Sequence, residues 1–408
     1  MNIYSITKAV SKIGGGVFKM KTGHKIFLGL ATAVTAAAVG SAIAKSNQAK
    51  NQERSVKSLV FEDAAKVLPL TVKKPVNFEK GLEESSKPFI FPEQVKKNMG
   101  FTEIDWFTDD TFVLEPKNKT SDCILFYIHG TDFWSNPTRF HYSFFKKLTN
   151  KLGAKLVLPV YPKAPAHTAV EIQKMLLDRY MYLIEENQIP ADKIVFIGDG
   201  AGGGLVLSLL QKIKYQTLPM PKQAFLISPW LDVTNSDPKI AEIQPQDKLL
   251  NAEVLKEKGE LYAGNLDLMH PAVSPIYGDL TGLCKITVFA GTREIFCADA
   301  YTLQEIADEY ELDIDVNIYK NQMHFFVGLP IPEAEEALAI MASELYGVEE
   351  CKSDCEEEAV AEDEEATPDE AEPEQTEEVT AEPEAIKEAP AEEVKEEVTE
   401  VTEEKTEE

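Results

Sequence analysis

The sequence predicts an α/β fold in which a mostly parallel sheet is covered by helices on both faces. Short, continuous apolar runs alternate along the chain with longer segments of helical periodicity. Strands that are apolar on both sides are typical of parallel sheets buried between two layers of helices. The 408 residues are enough for one large domain or two modest ones.

The predicted strands follow one another through the middle of the chain. Large apolar residues recur over residues 101–114, which predicts a strand or hairpin there. In sheets of this class, functional groups lie beyond the carboxyl ends of the strands. Continuous apolar runs predict further strands at 124–128, 155–161, 194–197, 224–227, 286–290 and 314–319.

Helical periodicity fills the intervals between these strands. The segment 232–283 contains no strong strand, and we expect it to form a small cap over the site. The predicted helices lie at 140–152, 169–187, 301–310 and 333–345, and another begins at Leu205.

The amino-terminal part differs from the middle. Residues 26–44 form an uncharged stretch of 19 residues, just long enough to cross a bilayer. A secretory signal with a cleavage site near 41–44 is the alternative. Residues 1–45 are therefore predicted to be a basic segment with a membrane anchor or signal, which implies a membrane-associated or a secreted protein. Residues 46–100 are predicted to be a linker with short helices that pack over a pocket, and 101–348 the folded domain.

The carboxyl-terminal segment accounts for most of the net charge of −28. Residues 349–408 contain 28 acidic and 4 basic side chains and no aromatic residue. This composition predicts a disordered tail, either a solvated spacer or a segment that binds a protein partner. The rest of the chain has 41 acidic and 37 basic residues, which gives no indication of nucleic-acid binding.

A glycine-rich turn separates the strand at 194–197 from the helix that follows. Residues 198–202 have the sequence GDGAG. This frame fits the G-x-S-x-G nucleophile elbow of α/β-hydrolases, except that Gly200 replaces the serine. The elbow holds its central residue on strained backbone, which glycine tolerates best. For a lone motif, a phosphate- or dinucleotide-binding loop is the alternative.

Polar groups follow other strand ends as well. Glu294 comes shortly after the strand at 286–290, and His324 after the last strand. Gly200, Glu294 and His324 therefore appear in the order nucleophile, acid and base that α/β-hydrolases use.

Several motifs strengthen this interpretation. They are YIHG at 127–130, YPKAP at 161–165, GD-x-AGG at 198–203, SPWLD at 228–232, SPIYG at 274–278, GT-x-EI at 291–295 and MH at 323–324. Over residues 101–346 the chain resembles the lipase/esterase family of α/β-hydrolases related to hormone-sensitive lipase, and within it the bacterial acetyl-esterase-like members.

The resemblance implies the α/β-hydrolase fold and chemistry on small acyl esters. It gives Glu294 the role of the triad acid and His324 that of the general base. Gly130, Thr131 and Ala201 match the positions whose backbone N–H groups form the oxyanion hole. No cofactor and no metal are expected, since the remaining histidines show no metal-ligand spacing.

Three residues are expected to contact a substrate or ligand: Asp132, Phe133 and Asp232. For Asp232 a role as a helix cap or turn residue is an equal alternative. Two features depart from the family pattern. Gly200 has no hydroxyl, and Thr131 and Asp132 place side chains where the family has small residues. An ionised Asp132 is expected to oppose a nearby oxyanion.

No other residue is expected to replace the missing nucleophile. Ser208 lies about two helical turns beyond Gly200, roughly 12 Å along the axis. The Asp199 side chain is expected to point elsewhere, and His129 to anchor its loop. The leading hypothesis is therefore a tethered pseudo-hydrolase that binds a small acyl or hydrophobic ligand or a partner. The alternatives are an active ester hydrolase using water or a non-standard nucleophile, and a scaffold acting through the acidic tail.

Overall fold

The structure, a computed structural model, describes residues 44–65, 76–93, 95, 97, 101–103 and 110–347, with backbone alone at 101–103. The predicted anchor or signal, apart from Ala44, and the acidic tail at 349–408 lie outside this part of the chain. Among the described helices, none combines the length and apolar character needed to cross a bilayer.

The strands of the described chain form one sheet. The six predicted core strands are present with bounds within two residues of those expected, and the segment 101–114 contributes two short strands. The strands are β1 (Phe101–Glu103), β2 (Thr111–Leu114), β3 (Ile124–Ile128), β4 (Lys155–Pro159), β5 (Ile194–Asp199), β6 (Gln223–Ile227), β7 (Lys285–Gly291) and β8 (Ile314–Tyr319).

The strand order is β1-β2-β4-β3-β5-β6-β7-β8. β1 and β2 pair antiparallel, and β2 pairs antiparallel with β4. From β4 to β8 every neighbouring pair is parallel. In this register Asp199 lies opposite Ile227, and Gly291 lies opposite Tyr319. The carboxyl ends of the central strands therefore meet at one edge, and the predicted mostly parallel sheet is confirmed.

Helices cover both faces of the sheet, as predicted. Strand side chains alternate between two cores: Phe126 and Phe196 pack with α4, α5 and α8, whereas Leu125 and Val195 pack with α3 and α9. The helices are α1 (Val56–Ala65), α2 (Phe78–Ser85), α3 (Arg139–Leu152), α4 (Ala169–Glu185), α5 (Ala201–Tyr215), α6 (Lys239–Ile243), α7 (Ala252–Ala263), α8 (Cys297–Glu309) and α9 (Pro332–Tyr346).

The segment between β6 and β7 carries α6 and α7 and, all of it being described, contains no strand. Asn251 caps α7, since its side chain accepts a hydrogen bond from the Val254 N–H at 3.0 Å. The buried side of α7 includes Leu255, Lys258 and Tyr262, which face the body of the protein. This segment has the helical character expected of the small cap.

Two helices begin four residues earlier than the sequence suggests. The helix predicted from Leu205 starts at Ala201. The helix predicted from residue 301 starts at Cys297. The Cys297 N–H donates to the Glu294 carbonyl at 3.1 Å, so the turn that carries Glu294 leads directly into α8.

Candidate active site

A sharp turn joins β5 to α5, and Gly200 lies at its tip. Its φ of +50° and ψ of −121° form a conformation that side-chain-bearing residues rarely adopt. The Gly200 N–H donates to the Ile227 carbonyl, and its own carbonyl accepts from the Trp230 N–H, both at 2.9 Å. The neighbouring strand therefore fixes the elbow, and glycine removes most of its strain.

Position 202 requires a glycine for a steric reason. A Cβ at Gly202 would lie 2.1 Å from the carbonyl oxygen of Ile128. The first turn of α5 therefore packs directly on the end of β3, as the elbow motif requires.

Glu294 and His324 meet beyond β7 and β8. The His324 Nδ1–H donates to Glu294 Oε2 at 2.6 Å. Glu294 Oε1 accepts from the Gly291 N–H and from the Ser228 hydroxyl, both at 2.7 Å. The Ser228 oxygen in turn accepts from the Phe325 N–H at 3.0 Å. Both carboxylate oxygens are thus held in place, which fixes the imidazole with its Nε2 available.

The surroundings of His324 favour its protonated form. Burial alone lowers the pKa of His324, but the hydrogen bond and charge of Glu294 outweigh this effect and raise the pKa above its ordinary value. Asp247 of the cap adds to the increase. Burial raises the pKa of Asp247 itself, whose carboxylate accepts from the N–H groups of Leu250 and Ile295 at 2.9 Å each.

Gly200 lies beside this imidazole. A Cβ at position 200 would be 3.5 Å from Cε1 and 3.6 Å from Nε2 of His324, and 3.8 Å from the Thr131 carbonyl oxygen. These are ordinary van der Waals distances, so a Cβ at this position would meet no clash with its neighbours. The structure thus brings together the predicted nucleophile, acid and base positions, and the attacking group itself is what Gly200 lacks.

The loop after β3 differs from the prediction at Gly130. Its N–H donates to Asp199 Oδ1 at 2.8 Å, so it is already occupied and does not serve an oxyanion. The same carboxylate accepts from the Tyr127 hydroxyl at 2.7 Å and from His141 Nε2 at 3.1 Å. His141 Nδ1 accepts from the Thr138 N–H, which places the ring proton on Nε2. The Asp199 side chain therefore points away from the elbow, as expected.

For Thr131 and Ala201 the oxyanion-hole role stays a prediction. Thr131 has a φ of +119°, a region that favours glycine, and its hydroxyl donates to the Ser135 carbonyl at 3.0 Å. Ala201 begins α5, where the first N–H groups have no acceptor within the helix. Within the described chain, neither the Thr131 nor the Ala201 N–H donates to a backbone acceptor.

Asp132 is not a free charge. It is fully buried and forms an ion pair with Lys258 of the cap helix α7, whose side chain is 8% exposed. Its carboxylate also accepts from the Trp134 N–H at 3.2 Å. The expectation that an ionised Asp132 opposes an oxyanion is therefore wrong, because the ammonium group of Lys258 compensates its charge. The pair joins the cap to the loop instead.

Phe133 begins a row of buried aromatic rings. Its ring stacks on Tyr262 with centroids 3.7 Å apart and contacts Trp230 at 5.2 Å. Trp230 stacks on Phe296 at 5.5 Å, and the edge of Phe296 meets His324 at 5.4 Å. Phe133 is thus packed in a buried aromatic cluster, Phe133–Tyr262–Trp230–Phe296, that extends from the cap to the base, and its contact with a ligand stays a prediction.

Asp232 has partners of its own. Its carboxylate accepts from the N–H and the hydroxyl of Thr234 at 2.8 Å each, and from the Tyr277 hydroxyl at 2.9 Å. Two roles were predicted for Asp232, and this geometry favours that of a turn residue. The hydrogen bonds of its carboxylate oxygens are made to residues of the cap segment itself.

Sequence comparison matches this geometry to a family. A family model described as the alpha/beta hydrolase fold matches residues 125–328, which contain the elbow, the acid and the base. The chain belongs to the alpha/beta hydrolase family. The predicted fold class and the resemblance to esterases are confirmed.

Individual relatives of this alpha/beta hydrolase are esterases and acetyl-hydrolases. An esterase of Acinetobacter venetianus is 30% identical over 222 residues, which cover 54% of this chain and 73% of the relative. An acetyl-hydrolase of Streptomyces hygroscopicus is 30% identical over 186 residues, covering 45% and 61%. The crystal structure of an esterase from the bacterial hormone-sensitive lipase family is similar in fold, with a TM-score of 0.55 at 22% identity over 66% of this chain and 95% of that one.

Ser208 does not reach the elbow of the hydrolase. Its hydroxyl donates to the Pro271 carbonyl at 3.0 Å and accepts from Gln173 Nε2 at 2.7 Å. It lines a separate cavity of about 720 Å³ beside α4 and α5, and neither Gly200 nor His324 is among the residues that line this cavity.

His129 anchors its loop, as expected. Its ring stacks on Tyr161 at 4.3 Å, and its Nδ1–H donates to the Gly130 carbonyl at 2.8 Å. Burial lowers the pKa of His129 to about 3, so the ring is neutral at physiological pH. The described residues include no cluster of His, Cys, Asp and Glu suited to a metal ion.

Sequence reasoning missed the part that residues 44–65 play, here called the N-terminal brace. Glu62, whose side chain is 3% exposed, forms ion pairs with Arg54 of the brace and with Arg293, which directly precedes the acid. Arg54 also donates to the Asn321 carbonyl at 3.0 Å, three residues before the base. The brace therefore holds the loops of Glu294 and His324. Its charged residues give no local signal of this role, because their partners in the two loops lie more than 200 positions away.

Proposed function

We propose that this alpha/beta hydrolase is a pseudo-hydrolase, which binds a small acyl or hydrophobic ligand at the elbow without forming an acyl-enzyme. The observation that carries the proposal is Gly200. It occupies the nucleophile position beside an intact Glu294–His324 pair, where a Cβ would fit without a clash but no hydroxyl is present.

The missing hydroxyl is decisive for the chemistry. Formation of an acyl-enzyme needs an oxygen at position 200 that loses its proton to His324 and attacks the ester carbonyl. Hydrolases of this type that lose the nucleophile keep only about 10³–10⁴-fold catalysis over water, from the oxyanion hole and substrate binding. Gly200 therefore lowers the expected rate by several orders of magnitude.

Turnover of p-nitrophenyl acetate and butyrate tests this proposal. We expect no saturable hydrolysis by the full chain and no covalent adduct with a fluorophosphonate, measured beside an active esterase as the positive control. Saturable hydrolysis together with fluorophosphonate trapping would overturn the proposal.

A second candidate, slow hydrolysis by an activated water, is favoured by one observation. The His324–Glu294 hydrogen bond of 2.6 Å orients the imidazole as in a triad, and a Cβ added at Gly200 would lie 3.6 Å from His324 Nε2 without a clash. In that case slow turnover without a covalent adduct is expected, and His324→Ala removes it. Turnover that persists in His324→Ala comes from another source.

The proposal includes the two terminal segments. Residues 26–44 would tether the protein to a membrane, or be removed as a signal in a secreted protein, and the tail at 349–408 would contact a protein partner. Fractionation of cells producing the full chain or a chain without residues 1–45 tests the tether. Recovery of partners with and without residues 349–408 tests the tail.

A further inference from the structure

We propose that the cavity between α4, α5 and cap residues 266–272 is a second binding site, which takes an amphipathic organic anion with one acidic group on an apolar body. The cavity measures about 720 Å³, and neither Gly200 nor His324 lines it. The inference is therefore independent of the chemistry at the elbow and does not rest on the proposed function.

The cavity has the size and the access of a small-molecule site. Pockets that bind drug-sized ligands measure about 300–1,000 Å³. Its sides are formed by the first turn of α4, by residues 208–215 of α5 and by residues 266–272 of the cap. Val170 and Tyr215 on these sides are 55% and 89% exposed. A ligand can therefore enter from solvent without displacing a buried side chain.

The buried polar groups of the cavity are used within the protein. Gln173 Nε2 donates to the Ser208 hydroxyl at 2.7 Å and to the Ala272 carbonyl at 2.5 Å. The Ser208 hydroxyl donates in turn to the Pro271 carbonyl at 3.0 Å. What remains for a ligand to cover is largely apolar, and an apolar body gains by shielding such a surface from water. The apolar lining consists of Val170, Tyr215, Leu266, Pro271 and Ala272.

Two donors that line the cavity have no acceptor in the described chain. The Lys212 ammonium group forms neither an ion pair nor a hydrogen bond there. His270 Nδ1 accepts from the Ala272 N–H at 3.0 Å, so Nε2 carries the ring proton, and it donates to no described residue. Burial lowers the pKa of Lys212, because its charge is partly removed from water. An anionic group on the ligand would offset this cost and accept from these donors.

The other charges around Lys212 are paired. Lys214 Nζ donates to Asp279 Oδ2 at 2.6 Å, and Lys174 Nζ donates to Asp178 Oδ2 at the same distance. The charges of Asp178 and Lys174 act on Lys212 in opposite directions. Of the three charged residues that line the cavity, Lys212 is thus the one without a counter-ion. This balance favours a ligand with a single negative charge.

Fluorescence titration of the full chain with anilinonaphthalene sulfonate and with its neutral parent, phenylnaphthylamine, tests this inference. The two probes share an apolar body that brightens in apolar surroundings, and only the first carries an anionic group. We expect both to bind. Lys212→Met should weaken binding of the sulfonate about fivefold, the effect of one partly exposed ion pair, and leave binding of the parent unchanged. Lys57→Met is the control, since it removes the same charge from an exposed lysine of α1.

Val170→Asp tests the apolar lining. Val170 lies in the first turn of α4, where an acidic residue is compatible with the helix, so the variant is expected to fold. Its carboxylate should weaken binding of the sulfonate about tenfold by repulsion, and that of the parent by less. Val56→Asp is the matched control, because Val56 is 42% exposed in the first turn of α1. It should leave both affinities unchanged. Circular dichroism confirms that the variants are folded.

Three results would refute the inference. They are no saturable binding of the sulfonate, unchanged sulfonate binding in folded Lys212→Met or Val170→Asp, and an equal loss of both probes in Lys212→Met. The last would show that the site does not recognise charge. Ester turnover and fluorophosphonate trapping report on the elbow alone, so the proposed function and this inference fail separately.

Discussion

The two halves of the site differ in how completely they match a catalytic triad. The acid–base half, Glu294 and His324 on the loops after β7 and β8, has every hydrogen bond that a working pair needs. The nucleophile half, Gly200 and the loop 130–132, has the backbone turn of an elbow but no side chain at its tip. The fold therefore places the acid and the base beside an elbow that carries no hydroxyl.

The difference has a structural reason. The acid–base half is held from outside by Glu62, which pairs with arginines on both sides, and from inside by Ser228. In the nucleophile half, Asp132 serves packing, since it joins the loop to the cap through Lys258. Retention of Glu294 and His324 thus does not by itself indicate catalysis, because these residues also tie two loops together.

The largest effect is expected for Glu62→Ala. This change leaves the Arg54 and Arg293 guanidinium groups without their buried carboxylate, which costs about 3–5 kcal/mol of unfolding free energy. Glu53→Ala in the same brace is the control. It removes an exposed pair with Lys320, with side chains 67% and 59% exposed, which contributes about 0–1 kcal/mol. Urea denaturation measures both, and equal losses would show that the brace does not stabilise the acid–base half.

Lys258→Met is expected to cost about 3 kcal/mol, because it leaves the Asp132 charge buried and unpaired. The double variant Lys258→Met with Asp132→Leu should recover most of this loss, since it removes both charges. Thermal unfolding of the two variants checks the prediction. If the double variant is no more stable than Lys258→Met, Asp132 stabilises the loop through its other contacts and not through the ion pair.

Gly200→Ala is expected to cost about 1–3 kcal/mol, the strain of a side chain at positive φ, with no added clash because its Cβ meets nothing closer than 3.5 Å. Gly282→Ala is the matched control, with a φ of +62° and no atom within 4 Å of its added Cβ. Similar losses in denaturant unfolding are expected. A much larger loss at Gly200 would contradict the room described beside His324.

The smallest effect is a difference between two histidine titrations in NMR. His324 should titrate above about 6.5, whereas His129 should remain neutral across pH 5–8. Because the folded pKa of His324 is raised, its contribution to stability is complete below about pH 6.5 and is lost as the pH rises through its folded pKa. A His324 that titrates below 6.5 would contradict the favourable pairing with Glu294.

The sequence predicted the sheet and its helices well, because continuous apolar runs and helical periodicity are local signals. The order of Gly200, Glu294 and His324 also sufficed to place these residues together, since the carboxyl ends of parallel strands meet at one edge.

What the sequence did not predict depends on contacts between distant charges. Lys258 and Asp132 are 126 positions apart, and Arg293 and Glu62 are 231 apart. In sequence, each of these residues resembles an exposed charge, so neither the neutralised Asp132 nor the N-terminal brace could be foreseen. The use of the Gly130 N–H by Asp199 was missed for a related reason, since it depends on how two loops meet.

Fluorophosphonate labelling of the natural chain beside Gly200→Ser and the double variant Gly200→Ser with His324→Ala tests the central claim most directly. We expect no covalent adduct on the natural chain, a stoichiometric adduct on residue 200 of Gly200→Ser, and none on the double variant, as followed by intact-protein mass spectrometry. An adduct on the natural chain that is lost in His324→Ala would show that another residue serves as the nucleophile, and would contradict the account.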